Sequence, residues 1–162
     1  MTNEWKTIEK GYLGDLLVEK RFIEHGFNLF KPVLENGKVD LIAEKNNVYL
    51  KIQIKTVQIN NESRTIPVRK ISHNMGEYKI KRYTKDDIDF FIGADLENED
   101  LYILPVAFSS KYSSAISIKN CQPFKNNFEQ LEPLCGNIQS GEDDNVETLT
   151  DNADGNDVGT EN

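Results

Sequence analysis

The amino-acid sequence predicts an α/β domain followed by a short acidic tail, and three observations carry that reading. Apolar residues recur at helical spacing between Thr7 and His25, alternate at strand spacing between Val39 and Val57, and return as two apolar runs between Ile88 and Val106. A period of 3.6 marks an amphipathic helix and a period of 2 a half-buried strand, while short apolar runs bounded by polar turns fit buried strands. The chain has 162 residues, enough for one domain with a proper core.

In chain order, Ile8, Leu13, Leu16, Leu17 and Ile23 form the expected inner stripe of a first helix, with Gly26 placed to cap its C-terminus. Asp15 and Glu19, four positions apart, flank that stripe. Phe27 to Val33 reads as a first strand, closed by Pro32 and a turn over residues 35–38.

The stretch from Gly37 to Thr56, GKVDLIAEKNNVYLKIQIKT, reads as a β-hairpin with Asn46-Asn47 as its two-residue turn. That turn sets the register: Lys45 faces Val48, Asp40 lies opposite Gln53, and Lys38 opposite Lys55. Alternation sends Val48, Leu50, Ile52 and Ile54 to one face, expected to pack, and Tyr49, Lys51, Gln53 and Lys55 to the other, expected to carry chemistry. Directly opposed residues have Cβ atoms about 4.5 to 5.5 Å apart, so Asp40 and the Gln53 carbonyl are expected to share one cation.

A polar stretch follows. Between Lys51 and Lys85 stand nine Lys or Arg residues against two acids, Glu62 and Glu77. Arg64, Arg69, Lys70, Lys79, Lys81 and Arg82, interleaved with His73, Tyr78 and Tyr83, suit a surface that follows a phosphate backbone and stacks or wedges near bases. Ile88 to Leu96 then reads as a buried strand and Leu101 to Val106 as its hairpin partner, while Asp86, Asp87 and Asp89 read as turn or cap residues. A short edge strand is expected at Ala115 to Lys119. A short helix is expected at Asn127 to Leu134, with Phe124, Phe128 and Leu131 turned inward.

Residues 141–162 hold eight acids, no Lys or Arg and no aromatic, so they are expected to stay disordered beside a domain over residues 1–140. The formal net charge is −8, and setting those eight acids aside leaves 19 basic and 19 acidic residues. The acidity belongs to the tail, and a polyanionic partner stays compatible with the domain. Cys121 and Cys135 lack metal-ligand or CxxC spacing and are expected to be idle buried thiols. The N-terminal residues are polar and no apolar run reaches membrane-span length, so a cytoplasmic protein is expected.

Val39-Asp40 followed by Gln53-Ile54-Lys55 across a hairpin resembles the core of the PD-(D/E)XK nuclease superfamily. With Gln where most members have Glu, it is most similar to the group I intron-associated homing endonucleases of that superfamily. Gly11 and Asp15 match the family's Gly-x-x-x-Glu helix pattern with Asp for Glu. The resemblance implies a mixed sheet flanked by helices and a Mg²⁺-dependent, site-specific endonuclease acting on double-stranded DNA as a homodimer or homotetramer. Asp40, Gln53 and Asp15 would then surround the metal, and Lys55 would orient the attacking water or donate to the phosphate. A Holliday junction resolvase, or a catalytically inactive DNA-binding protein on the same fold, is the alternative.

Overall fold

The computed structural model describes residues 6–34, 37–74 and 77–136, and of residues 70–74 and 77–81 the backbone alone. The acidic tail expected over 141–162 lies outside the described residues.

A first helix, α1 (Thr7–Glu24), leads through β1 (Asn28–Phe30) into the hairpin of β2 (Leu41–Lys45) and β3 (Val48–Thr56). The crossover that follows holds β4 (Gln58–Asn60), β5 (Ser63–Pro67), β6 (Lys70–Asn74) and β7 (Glu77–Lys81). A second hairpin, β8 (Phe90–Asp95) and β9 (Asp100–Pro105), precedes α2 (Val106–Ser109), β10 (Ala115–Ser117) and α3 (Glu132–Cys135). The main sheet has the order β1-β2-β3-β8-β9, with β3 and β8 parallel and its other neighbours antiparallel, so the expected mixed sheet is present.

The hairpin register is the expected one: Lys45 pairs with Val48 and Leu41 with Ile52. Asn46 and Asn47 take φ of 54° and 62°, the left-handed region that the tight turn requires. The apolar run in β8 is buried at all six positions, because the strand lies between β3 and β9 with both faces covered.

The inner stripe of α1 differs from the expected one. Gly14, Val18 and Phe22 are buried, whereas Ile8 is 86% exposed and Ile23 61%. Helical spacing counts apolar side chains and is blind to clearance. A Cβ at Gly14 would stand 2.7 Å from Thr56 Oγ1, so this glycine, and not Gly11, lets the helix settle on β3.

Packing of the sheet also differs. The face toward α1 holds Leu41, Ala43, Leu50, Ile52, Ile54 and Ile92. The other holds Val57, Ile66, Tyr83, Phe91, Tyr102 and Leu104 beneath the small sheet β10-β5-β4. Both faces therefore pack, and Gln53, expected on an open working face, is 3% exposed. The strands of the crossover went unexpected because they are short and polar, with little apolar alternation to announce them. The expected edge strand at Ala115 to Lys119 joins β5 and not the main sheet, and the expected last helix is a 3₁₀ turn, Glu129–Leu131, running into α3. Both cysteines are buried free thiols, and among the described residues no helix is long and apolar enough to cross a membrane.

Candidate active site

Asp40 stands one residue ahead of β2, where its N–H donates to the Ile52 carbonyl at 2.8 Å and so continues the hairpin pairing. Its side chain turns back across β3. Asp40 Oδ2 accepts the backbone N–H of Ile54 at 2.8 Å and the side-chain amide of Gln53. At the far end of that amide, Gln53 Oε1 accepts the hydroxyl of Tyr83 at 3.0 Å.

Gln53 therefore lies beside Asp40 as the register requires, but with its NH₂ and not its carbonyl turned to the carboxylate. The reason is polarity: a carboxylate only accepts, an amide nitrogen only donates, and two facing oxygens would repel. Tyr83 is corrected as well. Expected near bases, it is 6% exposed, with its ring edge-on to Phe91 at 4.9 Å.

Asp15 stands on α1, close enough to feel the charge of Asp40. Its carboxyl is pushed up to about 6, first by burial and then by the negative charge of Asp40, while Lys31 and Lys55 pull it back. Asp40 and Gln53 are thus brought into contact, Lys55 follows two residues later on β3, and Asp15 on α1 feels the charges of both Asp40 and Lys55. Gly14 makes this possible by seating the preceding turn against Thr56, whose hydroxyl donates to the Lys10 carbonyl at 3.2 Å. Glu19 is engaged elsewhere, with Lys31 at 2.6 Å.

The basic residues divide. Arg64, expected at phosphate, is committed inside the fold: its guanidinium binds Asp95, which is 1% exposed, and reaches Glu97 at 3.1 Å. A buried carboxylate left without a cation would be costly, and β5 is close enough to β8 to supply one. Arg69 is half-buried and Arg82 exposed, on either side of the β6–β7 ribbon. The backbone register sets Lys70 against Lys81 and Ser72 against Lys79; the side chains of Lys70, Lys79 and Lys81, and of His73 and Tyr78, lie outside the described residues. The three acids ahead of β8 are structural as expected. Asp87 takes the Thr84 N–H and pairs with Lys38, Asp89 takes the Lys51 N–H at 2.7 Å, and the Asp86 carbonyl takes the Lys51 ammonium.

Sequence reasoning missed Tyr83 as a partner of Gln53, Gly14 as the seat of α1, and Lys31 beside Asp15. A helical glycine one position before a candidate acid was a usable signal for the second. Nothing in spacing pointed to the first, because it depends on how the crossover returns over β3.

Among the described residues no cluster of three His, Cys, Asp or Glu stands ready for a metal. Asp15 and Asp40 nonetheless fit a hard divalent cation: both donate oxygen, and their mutual repulsion is what a cation beside them would relieve.

No curated protein matches the chain. Among solved structures, it is similar to a bacterial homing endonuclease, I-Ssp6803I, with a TM-score of 0.65 and 23% identity over 70% of this chain and 78% of that one. At that identity the likeness shows a shared fold. The family model of the PD-(D/E)XK endonucleases matches residues 5–131, a span that takes in α1, the hairpin, the whole crossover and the second hairpin. That span is well over half of the chain, and the chain belongs to the PD-(D/E)XK endonuclease family and is a nuclease.

Proposed function

We propose that the protein is a Mg²⁺-dependent endonuclease that cuts double-stranded DNA at specific sites. The observation that carries the reading is the Asp40 carboxylate held against Gln53 across the hairpin, two residues before Lys55 on β3, within the span that the endonuclease family model matches. Asp40 and Asp15 hold the cation, and an all-oxygen donor set favours Mg²⁺. When bound, the cation neutralises charge on the phosphate and acidifies water beside it. Lys55 orients the attacking water or donates to the phosphate oxygen that gains charge. Gln53, expected among the ligands, is read instead as the donor that holds Asp40.

The DNA surface we infer is the β6–β7 ribbon and its flanks. The backbone register sets Lys70 against Lys81 and Ser72 against Lys79, so three lysines fall on one short ribbon, a density of positive charge that suits a phosphate backbone. Arg69, Lys70, Lys79, Lys81 and Arg82 are the proposed phosphate contacts, and Arg64 is removed from that group. A two-stranded ribbon also fits the width of the major groove. Cutting both strands needs two active sites, which a homodimer or homotetramer supplies. We take residues 1–140 as the nuclease domain and 141–162 as an acidic tail, in a cytoplasmic setting that suits two free buried thiols.

The test is cleavage of a long mixed-sequence DNA library with Mg²⁺, comparing the wild type with Asp40→Ala and Lys55→Ala. Discrete fragments from the wild type alone support the reading. DNA binding without cleavage in all three proteins would replace it with a non-catalytic binding protein, and preferential cutting of four-way junctions with a resolvase.

A further inference from the structure

Three groups are strung across the sheet with their hydrogen bonds all pointing one way. The Tyr83 hydroxyl donates to Gln53 Oε1 at 3.0 Å, the Gln53 amide donates to Asp40 Oδ2, and the Ile54 N–H donates to the same oxygen at 2.8 Å. Tyr83 and Gln53 are 6% and 3% exposed, so water does not compete for either end of the amide. Tyr83 sits at the return of the crossover, two residues after β7, and its ring is held edge-on against Phe91 of β8, the neighbour of Gln53 in the parallel pairing.

An amide has two ends of opposite polarity and similar shape, and a buried one takes the orientation that its partners impose. A hydroxyl donating to the carbonyl end leaves only the NH₂ end for Asp40. We propose that Tyr83 is a positioning residue of the active site: through Gln53 it holds the Asp40 carboxylate in the orientation that receives the cation. This rests on the assignment of Asp40 as a cation ligand. The Gln of this chain is then a working part in its own right, a neutral donor held by a tyrosine, where a Glu would present a second charge. The raised Tyr83 hydroxyl, at about 12 through burial and the nearby charge of Asp40, keeps its proton for donation.

The experiment uses the full chain and two readouts. Titration calorimetry with Mg²⁺ alone compares wild type, Tyr83→Phe, Gln53→Met and the double variant, with melting curves to check folding. Tyr83→Phe lowers Mg²⁺ affinity about tenfold, in the range seen when a partner of a metal ligand is removed, and has no further effect once Gln53 is Met. An equal loss in both backgrounds, or none in the wild-type background, overturns the proposal.

The second readout needs no metal: the Gln53 side-chain amide resonances, identified by their loss in Gln53→Met. In the wild type they are displaced by the carboxylate, and Tyr83→Phe moves them toward the position of an exposed amide; resonances that stay put overturn the proposal. A wild type that takes up no Mg²⁺, with amide signals still answering to Tyr83→Phe, removes the cation-site assignment and leaves the hold of Tyr83 on Asp40 standing.

Discussion

Two carboxylate centres stand at the main sheet, and they are finished differently. Asp95, at the end of β8, is 1% exposed and meets the Arg64 guanidinium, the Glu97 N–H at 3.2 Å and the Asn98 amide at 3.0 Å. Asp15 on α1 and Asp40 one residue ahead of β2 carry charges that oppose each other, and burial first, then Asp40, raises Asp15 to about 6. An acid whose charge the fold balances holds elements together. An acid that burial and a like charge hold toward its neutral form, as Asp15 is, would regain its charge beside a cation arriving from outside.

The sharpest way to break this contrast is to remove a charge from each centre. Asp40→Asn, which keeps an oxygen to accept from the buried Gln53 amide or the Ile54 N–H, is expected to lower cleavage by about a thousandfold, as loss of one preorganised transition-state contact does elsewhere, with the melting temperature little changed. Arg64→Ala should do the reverse: it leaves Asp95 buried without its cation and costs about 3 kcal/mol of stability by denaturant unfolding, with Mg²⁺ affinity unaltered. Loss of Mg²⁺ affinity in Arg64→Ala would merge the two centres into one.

A subtler test moves an acid without removing it. Gly14→Ala puts a Cβ 2.7 Å from Thr56 Oγ1, so α1 must lift and carry Asp15 away. Mg²⁺ affinity should fall about tenfold, a modest loss beside what a one-ångström misplacement can cost, and Thr56→Ala in the same chain should restore it. Calorimetry reads both.

The smallest effect is on stability. Between the ordinary value of 3.8 and about 6, folded Asp15 keeps its proton and the unfolded chain does not. Its contribution to stability is therefore complete below 3.8 and lost as pH rises through about 6. Asp15→Asn should flatten that part of the stability curve and make the metal-free protein slightly more stable at pH 7. The Mg²⁺ affinity of the wild type should rise through the same window, because the cation must displace that proton.

Much of this was legible in the sequence. The Asn46-Asn47 turn set the hairpin register and with it the nearness of Asp40 to Gln53, and the apolar runs around residues 88 to 106 announced β8 and β9. Local periodicity and turn chemistry suffice there, because the pairing partners are close in sequence. The face of α1 was misread because clearance at Gly14 depends on Thr56, and the role of Arg64 because Asp95 lies 31 positions away. The orientation of Gln53 was hidden for the same reason: Tyr83 is 30 positions from it. Interactions set by the return of a long connection leave no spacing signal.

Because β3 and β8 run parallel, the chain cannot join them with a tight turn and must travel from one end of the sheet to the other. Here it takes residues 57–89 to do so, and that obligatory detour contains every residue proposed for phosphate contact. The part that would choose a target is thus an interlude in the chain, anchored to the sheet by Arg64 and Ile66 before the β6–β7 ribbon and by Tyr83 after it. Between those anchors the ribbon can be lengthened or shortened while the cutting residues keep their places. Tyr83 sets the boundary of that freedom: a graft ending before it inherits the chemistry intact, and a graft reaching past it must bring its own hydroxyl.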